Sequence, residues 1–238
     1  MYVGGKNNMS NKNQYKFRKL PNSKIIITDN LYQRLLFLMA RSTWIASEHM
    51  CVFYGKEIDE NVILFDEMNQ YEDYDSKGEG SKNPRDYSVG PGNGKFAEEI
   101  EEKIKTLPKG AIIADIHTHP SNICFGNGDE NEYRYFSSTD LKTNIKWKGL
   151  IEKNGIEHVA GLIGVDRDYG NMTLSFVWYS KNDSKFYLFD DIIVYHKELN
   201  KCDLLPKVGD IQLLYKNWGM DDVPLSKTVE KEIRNLKN

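Results

Sequence analysis

The spacing of apolar side chains along the chain predicts a series of short helices and strands. Apolar residues at intervals of three and four predict amphipathic helices, and they occur at about residues 31–42, 95–107 and 139–153. Runs of β-branched and aromatic residues predict strands, and they occur at 24–28, 48–54, 61–65, 111–118, 156–165, 172–179 and 186–195. Polar turns separate the last three runs, which predicts a meander.

Four segments lack this periodicity. Residues 1–24 carry six basic side chains and no acidic one, which predicts a mobile basic arm. The acidic, Gly- and Pro-rich stretch at about 66–94 and a second stretch at about 121–136 are predicted to be inserted loops, and loops of this length are usually functional or disordered. Residues 201–238 form a tail with weak periodicity. We therefore expect one domain over residues 25–200.

Composition and charge disfavour several classes of protein. Of the 238 residues, 39 % are hydrophobic and 28 % are charged, as in a soluble globular protein. The longest apolar run, Leu35–Ala40, is far shorter than the roughly 20 residues that span a membrane, and the N-terminus has no secretory pattern. The net charge of −3 disfavours nucleic acid as the main partner, although the basic arm leaves such a contact open.

The cysteines also bear on the cellular setting. Cys51, Cys124 and Cys202 are an odd, widely spaced set with no CxxC pair. Such a set predicts neither a disulfide framework nor a thiolate zinc site. We therefore expect a reducing, cytoplasmic environment.

The string IHTHP at residues 116–120 carries the most informative chemistry. Side chains alternate along a strand, so the imidazoles of His117 and His119 should point to the same face. Two imidazoles aimed at one point are typical of a site for a divalent metal, zinc first. The alternative is that both are ordinary polar residues at the end of a strand.

A catalytic zinc site needs a third protein ligand and an open position for water. The string SSTD at residues 137–140 opens a predicted helix downstream of the histidines. An acidic side chain in a first helical turn can simply interact with the helix dipole. Because Asp140 occurs together with the histidine pair, we predict instead that it is the carboxylate ligand.

The order HxHP, loop, SxxD resembles the JAMM motif of the JAB/MPN domain family, which contains zinc isopeptidases and peptidases. That family also has a glutamate near the start of the strand after its first helix, with a glycine seven positions later, and Glu48 and Gly55 have this layout. The resemblance covers roughly residues 25–196. It implies an α/β fold of the JAB/MPN (cytidine-deaminase-like) type, with a central mixed, mainly antiparallel sheet flanked by helices.

The resemblance also implies a role for each site residue. Zn2+ would be held by His117, His119 and Asp140. Glu48 would act as general base and Ser137 would donate a hydrogen bond to the oxyanion. The implied activity is hydrolysis of a peptide or isopeptide bond in a peptide or protein substrate, including conjugates of ubiquitin-like proteins.

Some assignments have rivals within the sequence. Glu57, just past the glycine, is an alternative general base. The gap between Pro120 and the SSTD string is longer than in the family, which leaves Ser121 and Ser138 as alternatives for the motif serine, although the spacing to Asp140 favours Ser137. Asp115 should lie on the same strand face as the two histidines, where it could interact with the metal ligands without binding the metal itself.

Two other functions remain open at this point. A DxHxH string, Asp115 to His119, resembles a signature of amidohydrolase and PHP-type metal hydrolases, whose folds are α/β barrels. MPN domains also occur as metal-free scaffolds, so a non-catalytic binding role is the second alternative. Zinc content distinguishes the scaffold from the hydrolase.

Overall fold

The computed structural model describes residues 17–45, 48–69, 74–75, 94–120, 134–165, 172–214 and 226–235. Most of the predicted arm and most of the two predicted loops lie outside these residues. Within them, helices are α1 (Asp29–Ile45), α2 (Gly94–Thr106), α3 (Ser138–Ile151) and α4 (Lys227–Asn235). Strands are β1 (Arg18–Thr28), β2 (His49–Asp59), β3 (Val62–Met68), β4 (Tyr74–Asp75), β5 (Ala111–Pro120), β6 (Glu157–Val165), β7 (Met172–Ser180), β8 (Lys185–His196), β9 (Lys201–Leu204), β10 (Lys207–Val208) and β11 (Ile211–Leu213).

The elements predicted from periodicity are confirmed, with ends shifted by a few residues. The boundaries of the arm and the tail differ more. β1 begins at Arg18, inside the predicted arm, because its first residues pair with β8. The predicted tail contributes β9 to β11 and α4, and α4 inserts Val229 into an apolar cluster on the outer surface of β1, β3 and β8.

Seven strands close into a barrel in the order β7-β6-β5-β2-β3-β1-β8. Closure comes from the hairpin of β7 and β8, which pair from Val177↔Leu188 to Ser180↔Lys185. Towards its other end, β7 pairs with β11 instead. β9 extends the sheet beside β8, and β4 pairs with β2.

The predicted fold class, a JAB/MPN-like central sheet flanked by helices, was therefore wrong. The strands close on themselves, and α1 lies inside the ring, where it contacts β1, β2, β3, β5, β6 and β8. Alternating apolar patterns show which face of a strand is buried. They do not show whether distant strands meet to close a barrel, because closure depends on strand tilt and stagger.

Side chains of α1 fill the barrel interior. Leu31, Leu35 and Leu38 are essentially inaccessible to solvent and pack against inward-facing residues of the ring. On β5 these inward residues are Ile112, Ala114 and Ile116, which fixes the alternate residues of β5 on the outer surface.

Helices α2 and α3 cover that outer surface at β2 and β5. Ile104 of α2 and Trp147 of α3 pack against Val52 of β2 and Ile113 of β5. Gly155, with a φ of 74°, ends the single 3₁₀ turn that follows α3 and sends the chain into β6. The packing of Trp147 against β2 and β5 holds α3 over the outer surface of the barrel. None of the described helices combines the length and the apolar character needed to cross a membrane.

The approach of β2 to β3 at Gly55 gives a test of this packing. A Cβ atom at Gly55 would lie 2.1 Å from the carbonyl oxygen of Leu64, so Gly55→Ala should lower the free energy of unfolding by about 1–3 kcal/mol or more. Gly149 in α3 has no atom within 4 Å of the corresponding position, so Gly149→Ala should raise it by about 0.5–1 kcal/mol. Urea unfolding measures both, and equal effects would contradict the strand pairing.

Candidate metal centre

The end of β5 brings two imidazoles together on the outer surface of the barrel. His117 and His119 are both buried, and their Nε2 atoms lie 3.1 Å apart. Thr118 between them faces inward, and its Oγ1 accepts a hydrogen bond of 2.9 Å from the backbone N–H of His49 on β2. This bond adds to the pairing of β2 with β5 at the level of the imidazoles.

The beginning of α3 supplies a carboxylate to the same place. Ser137 is the N-cap of the helix, and its Oγ accepts a hydrogen bond of 3.1 Å from the backbone N–H of Asp140. The Asp140 carboxylate in turn accepts one of 2.6 Å, at Oδ2, from the backbone N–H of Ser137. Such a reciprocal capping box fixes the carboxylate as well as the helix end.

Donor atoms from the three residues are close enough to share one cation. Asp140 Oδ1 lies 3.7 Å from His117 Nε2, and Asp140 Oδ2 lies 3.4 Å from His119 Nε2. One donor atom from each residue can be chosen so that all three lie within 4.8 Å of one another. Two ligands of a tetrahedral zinc ion, each at about 2.1 Å, lie about 3.4 Å apart. The side chains therefore fit a zinc-sized ion with little rearrangement.

The cluster carries excess negative charge, which a cation or a proton can balance. Burial by itself lowers the pKa of the His117 imidazole, but the carboxylates of Asp140, Glu48 and Asp115 outweigh it and raise that pKa to about 9. Burial likewise raises the pKa of Asp140, but the two imidazoles outweigh it and hold that pKa well below its ordinary value. In the metal-free protein His117 is thus an imidazolium at neutral pH, next to an ionised Asp140.

Of the two candidate general bases, the structure brings only Glu48 to the imidazoles. Glu48 Oε1 lies 3.7 Å from His119 Nε2, and 15 % of its side chain is exposed. The antiparallel register of β2 and β5 pairs Met50 with His117, and continuing it by two residues puts Glu48 opposite His119. Glu57 lies further along β2, where it accepts a hydrogen bond from the backbone N–H of Asn61.

Of the candidate serines in the described residues, only Ser137 is bonded to a residue of the centre. Ser137 is joined to Asp140 by the capping box, whereas Ser138, the first residue of α3, is exposed. Ser121 and Cys124 lie outside the described residues.

Two features beside the centre were missed or undervalued in the sequence. The ring of Phe136 stands edge-on to that of His117, with centroids 6.0 Å apart. His158, which no sequence pattern had singled out, contacts Asp115, with Nε2 and Oδ1 2.5 Å apart. The alternation of side chains along β5 indicated that Asp115 points to the same face as His117 and His119. No local signal indicated that β6 lies parallel to β5 and brings His158 alongside.

Comparison with known proteins does not assign the chain to a family. No protein-family model matches it, and no match was found among curated proteins.

The first prediction for this centre concerns its ligands. Purified protein should bind about one Zn2+ per chain, and His119→Ala and Asp140→Ala should each abolish tight binding because a catalytic-type site has only three protein ligands. His196→Ala is the control, since His196 lies on β8 and contacts Asp203 of β9. Metal analysis and calorimetric titration measure the outcome. Equal zinc uptake by wild type and His119→Ala would contradict the assignment.

The second prediction concerns pH. A metal ion competes with the proton on an imidazole, and the pKa of His117 is raised to about 9. Zinc binding at about pH 7.5 should therefore release about one proton, and zinc affinity should rise with pH until about pH 9. Titration calorimetry in buffers of different ionisation enthalpy counts the proton. Binding without proton release at about pH 7.5 would contradict a metal-free state in which His117 is protonated.

Proposed function

We propose that this protein is a zinc-dependent hydrolase that cleaves a peptide or isopeptide bond, as the resemblance of its motif implies. The observation that carries the proposal is the convergence of His117, His119 and Asp140, with Glu48 Oε1 3.7 Å from His119 Nε2. Two imidazoles and one carboxylate are a ligand set of catalytic zinc sites, in which a further position stays open for water.

In the proposed hydrolysis, the metal ion and the protein side chains have different roles. A zinc ion in this position would supply a Lewis acid that polarises a carbonyl group, and it would lower the pKa of bound water towards neutrality. The protein residues have to bind the ion, receive a proton and stabilise the charge that develops on the carbonyl oxygen.

Glu48 is the proposed general base. Its carboxylate lies beside His119 at a place that is mostly, but not fully, shielded from solvent. General acid–base catalysis requires a group within hydrogen-bond reach of the reacting atoms that can both accept and donate a proton. A carboxylate in this position can take a proton from water at Oε1 and later give it to the leaving amine.

Ser137 is the proposed oxyanion donor. Its Oγ accepts the hydrogen bond from the N–H of Asp140, and a hydroxyl group can accept and donate at the same time. The hydroxyl hydrogen can therefore be donated to a carbonyl oxygen that becomes negatively charged. Because the same serine caps α3, this donor is held in position by the helix.

Two competing functions make different predictions. The amidohydrolase alternative rests on the string from Asp115 to His119, whereas the donor atoms that converge in the described residues belong to His117, His119 and Asp140 and not to Asp115, so we prefer the JAMM-type ligand set. A non-catalytic scaffold would neither hold zinc tightly nor hydrolyse amides. Two histidines and a carboxylate also suit ferrous iron, so the metal that restores activity has to be identified.

The test uses Glu48→Gln in zinc-loaded protein. This variant keeps the size of the side chain but removes its basicity, so it should retain zinc and lose about 10²–10⁴-fold in the rate of hydrolysis. The substrates are fluorogenic peptides in which the reporter is attached through an α-amide or through a lysine ε-amide. Comparing the two sets separates peptidase from isopeptidase activity.

Glu57→Gln is the matched control and should leave both zinc content and rate unchanged. Ser137→Ala should lower the rate by about 10²–10³-fold, as expected for loss of one oxyanion donor. Full activity of Glu48→Gln would remove Glu48 from the mechanism. Zinc-loaded wild-type protein that cleaves neither set would contradict the proposed peptidase or isopeptidase activity.

A further inference from the structure

Asp115, which is partly buried, and His158, which is buried, form a pair next to the metal centre. Asp115 lies two residues before His117 on the outward face of β5, so their Cα atoms are about 7 Å apart along the strand. His158 lies on β6, where Ile113 is its register partner on β5. Its Nε2 is 2.5 Å from Asp115 Oδ1, and 1 % of the His158 side chain is exposed against 21 % of that of Asp115.

This pair differs in location from the pair of His196 and Asp203. His196 Nε2 lies 2.9 Å from Asp203 Oδ2, and these residues belong to the β8–β9 hairpin, away from β2 and β5. A pair that only satisfies buried polar groups could stand anywhere in the sheet. Asp115, in contrast, stands in one row with His117 and His119 on the same strand face.

The charge of Asp115 acts on the centre without ligating it. Asp115 is not among the residues whose donor atoms converge, which are His117, His119 and Asp140. Asp115 lies two residues before His117 on the same outward face of β5, so a dication bound at the centre would experience its negative charge. Within a partly buried site such a field is only weakly screened by solvent.

We propose that Asp115 is a positioning residue that strengthens binding of a divalent cation at the centre, and that His158 is the donor that holds its carboxylate towards β6. The proposal rests on the metal centre proposed above and adds a pair of residues behind the ligands. Removing a carboxylate this close to a bound dication should weaken its binding by about tenfold or more, through loss of Coulomb attraction alone.

The decisive variant is Asp115→Asn, which keeps an oxygen acceptor for His158 but removes the charge. Its dissociation constant for Zn2+, measured by competition with a chromophoric chelator, should rise by about tenfold or more. Asp203→Asn is the matched control and should bind zinc like the wild type. Unchanged zinc affinity of folded Asp115→Asn would overturn the proposal. Hydrolysis is not part of this measurement, so a failure here leaves Glu48 and Ser137 untouched.

A second pair of variants covers the case in which Asp115→Asn does not fold. His158→Gln retains an N–H donor near the position of Nε2, and His158→Leu does not. The proposal expects near wild-type zinc affinity for His158→Gln and weaker affinity for His158→Leu, together with a shifted visible spectrum of the Co2+-substituted protein. Equal affinities and spectra for the two variants would overturn it. Absence of zinc binding by the wild type would overturn this proposal and the proposed function together.

Discussion

The alternation of side chains along β5 is the constraint on which the rest of the centre depends. Ile112, Ala114 and Ile116 are committed to the interior, where α1 packs against them. Turning either imidazole inward would exchange these apolar contacts for buried polar groups without partners, which is costly. The packing of the barrel around α1 therefore fixes the outward direction of His117 and His119 before any metal is considered.

Electrostatics explain why these side chains remain together despite burial. Asp140, Glu48 and Asp115 place several carboxylates near two imidazoles, and such a group is stable only when positive charge offsets it. In the metal-free protein the proton of His117 provides this charge, while the capping box holds Asp140 at the beginning of α3. Binding of a divalent cation would displace that proton and add one net positive charge to a site that is already organised.

The centre and the fold class are separate questions, because one kind of site can occur on different architectures. The expected flanked sheet was wrong, since β7 and β8 close the ring. Even so, the ligand cluster requires only a strand end, a helix N-terminus and the start of a neighbouring strand. These local elements occur in the barrel as β5, α3 and the residue that precedes β2.

The sequence by itself determined the local parts of this protein: the periodicity of the helices and strands, the shared face of His117 and His119, and the N-terminal signal at Ser137 and Asp140. Each depends on neighbours within a few residues, where strand alternation and capping act. Only the tertiary structure decided the closure of the barrel, the position of Glu48 beside His119 and the pairing of Asp115 with His158. These depend on which strands become neighbours, and strand pairing is set by packing over the whole chain rather than by any local pattern.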